Sequence, residues 1–342
     1  MTIGFKELIR SFEPALTRVK SVIHSQIRTR HPFRKQMNDY LLSMNGKQVR
    51  ALLLLLCSCR KNEEDFSEDA YKAAAILEMI HSASLIHDDI IDKAETRRGK
   101  MTLGKKWGET TAILFGDVLV AKAFHLCSFL NTRLHRIILE EVSDGISKVC
   151  SGEILQNHYA FQCDVTEKIY LDIVKQKTAS LFRLACYLAT ILGSFDLPHS
   201  KHMVHMLQFG QSLGIAYQMV DDCMDLIIPT QDSGKSNFRD LSEGKITLPI
   251  ILLRERCSKK DWAAIQPSLF HLKAEKKILF WKCVQETGCV ESTFQRAKSY
   301  LKKARQSLSK VQDLKYKDTL EQFLTLLERP LLPLSKPLRL SQ

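Results

Sequence analysis

The pattern Asp-Asp-x-x-Asp occurs twice in this chain, as Asp88-Asp89-Ile90-Ile91-Asp92 and as Asp221-Asp222-Cys223-Met224-Asp225, each time inside an otherwise apolar, helix-periodic stretch. On a helix, residues four apart share a face, so Asp88 with Asp92, and Asp221 with Asp225, each present two carboxylates to one side. Like charges stacked this way repel, so a fold that contains them must supply something that neutralises them. Hard oxygen ligands suit Mg²⁺, which is typically held by one or two carboxylates plus substrate phosphates. A single acidic run usually just faces water. Two copies on two apolar helices point instead to facing carboxylate clusters that clamp a diphosphate through Mg²⁺.

The rest of the chain is compatible with an all-α fold. With 45% hydrophobic residues but only 14 Gly and 9 Pro, it carries few strand-and-turn signals. Apolar periodicity predicts helices over about 46–59, 69–92, 110–130, 135–160, 167–193, 201–226 and 248–256. No linker rich in Pro, Gly or Ser interrupts them, so residues 1–328 are expected to form one large helical domain. Residues 329–342, with three Pro, several Leu and basic residues but no acids, read as a disordered tail that also suits transient contact with an anionic membrane.

A net charge of +12 fits an anionic partner without choosing among nucleic acid, membrane and phosphorylated substrate. Nucleic acid is disfavoured, since it would leave the paired carboxylates unexplained. The ten Cys stand singly apart from Cys57-x-Cys59, with no C-x-x-C pair to build a zinc site and no disulfide-like framework. That usage is expected of a reduced, cytoplasmic protein. The longest apolar run, residues 51–57, is far short of the ~20 residues that span a bilayer.

Position along each helix sharpens the picture. In 69–92, Leu77, His81, Ser84, Asp88 and Asp92 recur on one stripe that runs from apolar to acidic, as the wall of a cavity with a dry floor and a metal-binding mouth would. In 201–226, Gln218 shares a stripe with Asp221, Asp222 and Asp225, while Gly210 and Gly214 allow close helix packing. Three basic elements complete the set. Asn45-Gly46-Lys47-Gln48-Val49-Arg50 opens an apolar helix, where free backbone N–H groups favour anions. Arg97-Arg98-Gly99-Lys100 reads as a loop after the first acidic helix. Lys235 and Lys245 lie between Pro229 and Pro249, the best candidate for a mobile flap.

These residues bring the chain into resemblance with a known family, the trans-isoprenyl diphosphate synthases and in particular their long-chain polyprenyl type, over nearly its whole length. His81-Ser82-Ala83-Ser84-Leu85-Ile86-His87-Asp88 through Asp92 looks like the family's first aspartate-rich motif, and Tyr217-Gln218-Met219-Val220-Asp221 through Asp225 like the second. Thr96-Arg97-Arg98-Gly99, Phe115-Gly116-Asp117, Gly152-Glu153-Ile154-Leu155-Gln156, Lys177-Thr178-Ala179 and Asp240-Leu241-Ser242-Glu243-Gly244-Lys245 stand in the family's order.

The resemblance implies the isoprenoid synthase fold, a helical bundle around a central cavity. It implies that Lys47, Arg50 and His81, assisted by Arg98, bind isopentenyl diphosphate. Arg97, Lys177, Thr178, Gln218, Lys235 and Lys245 would contact an allylic diphosphate, farnesyl or geranylgeranyl. Asp88, Asp92 and Asp221 would be the principal Mg²⁺ ligands, with Asp89, Asp222 and Asp225 completing the clusters. Three Mg²⁺ per active site, a homodimer or a heteromer, and a reaction of ionisation, condensation and elimination are implied in the same way. Asp88, Asp92, Lys177, Gln218 and Asp221 are the catalytic candidates. One departure is Gln48, where the family usually has a second basic residue.

Product length is expected from the residues before Asp88. In the family an aromatic residue five positions before the first Asp restricts the growing tail. Here that position is Ala83, with Ser84 beside it and Leu77 and Ile80 deeper, which implies a long product. Three other readings fit less well. A terpene cyclase has no second diphosphate for Lys47, Arg50 and Arg98 to hold, a non-catalytic partner subunit would not need complete acidic motifs, and His87-Asp88 alone is slight support for a metal phosphohydrolase.

Overall fold

The computed structural model describes residues 3–44, 46–130, 133–193, 200–227, 238–272 and 274–329. Asn45, Lys235 and residues 330–342 of the expected tail lie outside the described residues. Helices α1 (Ile3–Ser11), α2 (Glu13–Ile27) and α3 (Pro32–Ser43) precede α4 (Val49–Ser58) and α5 (Glu68–Ile91). A small hairpin, β1 (Thr96–Arg97) and β2 (Lys100–Met101), leads into α6 (Leu103–Trp107), α7 (Glu109–Cys127), α8 (His135–His158) and α9 (Glu167–Val174). A π-helical turn, Lys175–Ala179, joins α9 to α10 (Ser180–Leu192), and α11 (Lys201–Ile227) follows. The remainder is α12 (Arg239–Ser242), α13 (Leu248–Arg256), α14 (Lys259–Ile265), a 3-10 segment Gln266–His271, α15 (Ala274–Thr287), α16 (Cys289–Ser309) and α17 (Lys317–Glu328).

The all-α expectation holds, and local chemistry explains the element ends. α5 starts at Ser67, whose hydroxyl accepts from the Ala70 N–H at 3.1 Å, and Glu68 and Asp69 then complement the helix dipole. α13 starts with Pro249 in its first turn, where a missing N–H costs nothing. Residues 167–193, expected as one helix, are α9 and α10 with the π turn between them. Residues 97–100, expected as a loop, belong to a hairpin in which Thr96 pairs with Met101 and Arg97 with Lys100, with Arg98 and Gly99 at positive φ. α4 begins only at Val49, because Gln48 takes a left-handed conformation at φ 45°.

α4 is apolar on every side, with Leu52 to Leu56 all buried, and it packs against α5 and α10. α11 runs through both parts of the core. Met203, Met206, Phe209 and Leu213 join the cluster around α4, α5 and α10, whereas Met219, Val220 and Cys223 join a second cluster built with α13 and α16. The acidic end of α11 therefore emerges where these two apolar regions meet. α7 packs on α5 through Ala112, Phe115 and Leu119, but Ile113 and Leu114 on its other side are exposed. Among the described residues α7 is the one helix whose length and composition would allow it to cross a membrane.

The two glycines of α11 allow the close approach expected of them. A Cβ on Gly210 would lie 2.6 Å from the Phe182 carbonyl oxygen, and one on Gly214 would lie 2.7 Å from the Ala179 Cα. α11 is thus seated directly on the π turn and α10, which brings Gln218, one turn beyond Gly214, beside Thr178. Gly214→Ala should destabilise the fold by about 1–3 kcal/mol, the usual cost of forcing extra volume into a packed core. Urea denaturation measures this directly, and an unchanged midpoint would show that α11 can move outward freely.

Candidate active site

The last turn of α5 carries the first acidic cluster, and each of its carboxylates meets a protein cation. Asp88 Oδ2 is 3.5 Å from Lys177 Nζ. Lys177 also pairs with Glu153 and donates to Gln156 Oε1 at 2.7 Å. This grouping depends on backbone contact, since a Cβ on Gly152 of α8 would lie 2.5 Å from the Lys177 nitrogen. The π turn, a feature often found at functional sites, is what carries Lys177 to this point. Asp92 accepts from Lys245 at 2.8 Å, and Lys245 also donates to Glu243 at 2.7 Å. Asp89 is buried and accepts from Arg97 Nε at 2.8 Å, so it orients the hairpin arginine.

The second cluster has a buried and an open side. Asp222 is buried, accepting from the Tyr170 hydroxyl at 2.6 Å and from Gln218 Nε2 at 2.8 Å. Gln218 in turn accepts from Thr178 Oγ1 at 2.8 Å. Asp225 accepts from the backbone N–H of Asp240 at 3.1 Å. Asp221 faces a cavity of about 470 Å³ and makes no hydrogen bond to the described residues. Its carboxylate is open to that cavity although protein surrounds the cleft closely, and Lys47 is the largest influence opposing the effect of that enclosure.

Burial pushes the carboxyls up. Asp88 rises to about 6, chiefly through burial, with Lys177 opposing and Glu153 and Asp92 reinforcing. Asp222 rises to about 7 through burial, against the hydrogen bonds from Tyr170 and Gln218. Asp221 and Asp225 rise for the same first reason. Burial would lower Lys245, but Glu243 and Asp92 outweigh it and hold the ammonium above the ordinary lysine value. Carboxyls raised by burial and mutual repulsion, with hard oxygen donors and an open side at Asp221, fit a divalent cation such as Mg²⁺.

The cavity beside Asp221 is basic on its opposite wall, where Lys47, Arg50, His81, Arg97 and Arg98 line it. Arg50 Nη1 lies 3.1 Å from His81 Nε2, its guanidinium stands 5.1 Å from the Phe182 ring centre, and Glu78 is buried alongside. Burial, then Arg50, Arg98 and Arg97, push His81 well below its usual value. Arginine can only donate, so the neutral imidazole accepts at Nε2 and carries its proton on Nδ1. Arg98 lies against Gly46, its Nη1 2.9 Å from where a Cβ on that glycine would stand. A smaller cavity of about 110 Å³ lies against Lys177, Asp222, Asp240 and Lys245, and Thr178 and Gln218 line both cavities.

The expected residues thus converge, apart from Lys235, which lies outside the described residues. The residues expected to measure product length do not open onto these cavities. Leu77, Ile80 and Ala83 are at most 2% exposed, Ser84 donates to the His81 carbonyl oxygen at 2.9 Å, and none of the four lines either cavity. Two functional neighbours were missed. Glu78 stands one turn before His81 on the same face, a signal the stripe could have given. Tyr170 is 52 residues from Asp222, and no local pattern marks it.

A profile of the polyprenyl synthetase family matches residues 31–283. The chain is 30% identical over 321 residues to an all-trans-nonaprenyl-diphosphate synthase (geranyl-diphosphate specific) of Rhodobacter capsulatus, covering 94% of this chain and 96% of that one. A polyprenyl synthase of Caulobacter crescentus CB15, solved with calcium and isoprenyl diphosphate, superposes with a TM-score of 0.84 at 25% identity, over 95% of this chain and 98% of that one. A geranylgeranyl pyrophosphate synthetase of Pyrococcus horikoshii Ot3 superposes with a TM-score of 0.85 at 26% identity, over 96% and 99% of the two chains.

The raised carboxyls have a measurable consequence. Protons compete with a metal at Asp88 and Asp222 as the pH falls through their respective values of about 6 and about 7, because ligands must be deprotonated to bind. The Mg²⁺ concentration giving half-maximal turnover should therefore rise as pH falls from about 8 to about 6. A requirement that stays flat over that range would count against these carboxylates as the metal site.

Proposed function

We propose that this chain, which belongs to the polyprenyl synthetase family, elongates an allylic diphosphate with isopentenyl diphosphate to a long all-trans polyprenyl diphosphate, releasing diphosphate. Prenyl transfer is the activity of the relatives it matches. The observation that carries the fuller reading is the convergence of Asp88, Asp92 and Asp221 with the cation-lined cavity of Lys47, Arg50, His81 and Arg98.

Within this reading the large cavity takes isopentenyl diphosphate, whose charge Lys47, Arg50 and Arg98 balance while neutral His81 donates or accepts without adding charge. The allylic diphosphate sits between the two acidic helix ends. Asp88, Asp92 and Asp221 would hold Mg²⁺, which when bound would supply Lewis-acid charge to the departing diphosphate. Lys177 and Lys245 add fixed positive charge on either side of it, the preorganised electrostatic stabilisation that usually dominates such steps. Gln218, held by Thr178 and Asp222, has its orientation set before substrate arrives. Asp89, Asp222 and Asp225 act chiefly by fixing Arg97, Gln218 and the Asp240 segment. Three metal ions per site, and farnesyl or geranylgeranyl diphosphate as primer, belong to the same proposal.

A product of roughly C30 to C50 rests on the small side chains at Ala83 and Ser84, by analogy with the family. A second reading, a shorter farnesyl or geranylgeranyl product, is favoured by the close packing of Leu77, Ile80 and Ala83, beside which none of the described cavities runs. The exposed apolar side of α7, with Ile113 and Leu114, supports a homodimer, the alternative being a different subunit in a heteromer.

Incubation of the purified protein with labelled isopentenyl diphosphate and allylic primers should give polyprenyl products, sized by chromatography. Asp88→Ala and Asp221→Ala should each lower turnover at least about 100-fold, the effect of removing one preorganised stabilising group; retained turnover in both would end the clamp reading. Ala83→Phe distinguishes tunnel from core. Shorter products from a folded enzyme are expected if the tail passes this residue, whereas overpacking alone would cost about 1–3 kcal/mol of stability and leave product length unchanged.

A further inference from the structure

Away from the acidic helix ends, a second set of metal-competent side chains converges from three elements. Cys257 follows the last residue of α13, Asp261 lies in the first turn of α14, and Cys283 is on α15. Their two sulfurs and a carboxylate oxygen all lie within 4.8 Å of one another. We propose that Cys257, Asp261 and Cys283 form a binding site for a thiophilic divalent cation, Zn²⁺ being the best match.

The chemistry of the donors separates this site from the aspartate clusters. Thiolates select zinc-like cations, whereas the all-oxygen clusters suit Mg²⁺. Two sulfurs, one carboxylate oxygen and one water make the four-coordinate shell that zinc prefers. The water position faces outward, because Cys257 and Asp261 are only partly buried while Cys283 is 2% exposed and forms the floor. Asp261 is held in place before any cation arrives. Its backbone N–H donates to Ser258 Oγ at 3.1 Å, and Ser258 Oγ donates to Asp261 Oδ2 at 2.7 Å.

Binding is balanced by proton release. The cation takes the place of one proton on each thiol, so two protons leave and no electron moves. Burial, the neighbouring Cys257 and the negative charge of Asp261 and Glu286 push the Cys283 thiol up to about 12. A dication between these groups reverses that electrostatic preference. The site would clip the end of α13 to the start of α14 and to α15. The other end of α13 follows directly on the segment carrying Lys245, so the clip secures the far end of the helix that leads away from the proposed allylic site.

The test uses the full chain, kept reduced under anaerobic conditions, stripped with a chelator and titrated with Co²⁺ and then Zn²⁺. A sulfur-to-cobalt charge-transfer band is expected, bleached as Zn²⁺ displaces Co²⁺. The aspartate motifs carry one thiol, Cys223, which is buried with its Sγ directed to the Val290 carbonyl oxygen, so a band that survives Cys223→Ser is independent of the aspartate clusters and of prenyl transfer. Cys257→Ser and Cys283→Ser should abolish the band. Asp261→Asn, which removes the charge of one ligand, should weaken Zn²⁺ binding by at least about 10-fold, since loss of even an outer partner of a metal ligand costs about 10- to 100-fold. Cys150→Ser, at an exposed cysteine on α8, should leave the band intact. If Cys283→Ser fails to fold, the more exposed Cys257→Ser and Asp261→Asn carry the test. Absence of the band in reduced wild-type protein, or its survival in the Cys257 variant, overturns the proposal. So does recovery of a Cys257–Cys283 disulfide from anaerobically purified protein that shows no band.

Discussion

Six carboxylates crowd the ends of two helices, and mutual repulsion in a partly buried space is the constraint around which the neighbouring structure is arranged. Asp88 is answered by Lys177, Asp92 by Lys245 and Asp89 by Arg97. On the other helix Asp222 is answered by hydrogen bonds from Tyr170 and Gln218, and Asp225 by a backbone N–H. Only the buried members are fully engaged. Asp221 keeps its carboxylate toward the large cavity, and Asp88 keeps a raised proton affinity in spite of Lys177. A charged cluster that is only partly neutralised by its own protein is well suited to a cation that arrives with substrate, because the ion relieves a repulsion already present.

The cations reach those carboxylates because backbones approach unusually closely. Gly152 on α8, and Gly210 and Gly214 on α11, each sit where a Cβ would meet backbone atoms of the π turn or α10 at under 3 Å. Without those three glycines the π turn could not be held between α8 and α11. Lys177 would then lose Glu153 and Gln156, and Thr178 would lose Gln218. Packing and electrostatics are coupled here. The small residues set the distance between helices, and that distance decides which charges meet.

Much of this was legible beforehand, for reasons that are local. The stripe of His81, Ser84, Asp88 and Asp92 follows from helical geometry alone, and the pairing of Gln218 with Asp222 is an i, i+4 contact that periodicity also implies. Gly210 and Gly214 were readable as a packing surface because two small residues share one helix face. The break at Lys175–Ala179 was not, since its apolar periodicity continues unchanged into α10 and a π turn alters register without altering composition. The hairpin around Arg98 was likewise hidden, because two-residue strands are too short to show alternation.

What the sequence determined by itself was the set of helices and the face of each that is acidic, basic or apolar, since these depend on residues three or four positions apart. What only the tertiary structure decided was which faces meet. Lys245 reaches Asp92 across 153 residues, and Tyr170 reaches Asp222 across 52. The cysteines make the same point. Scattered singly, they exclude a spaced zinc motif, yet the fold brings Cys257 and Cys283 to one carboxylate. Helical periodicity specifies the direction of a side chain about its own axis, whereas the partner across the gap depends on how several apolar faces are buried together, and no local window contains that information.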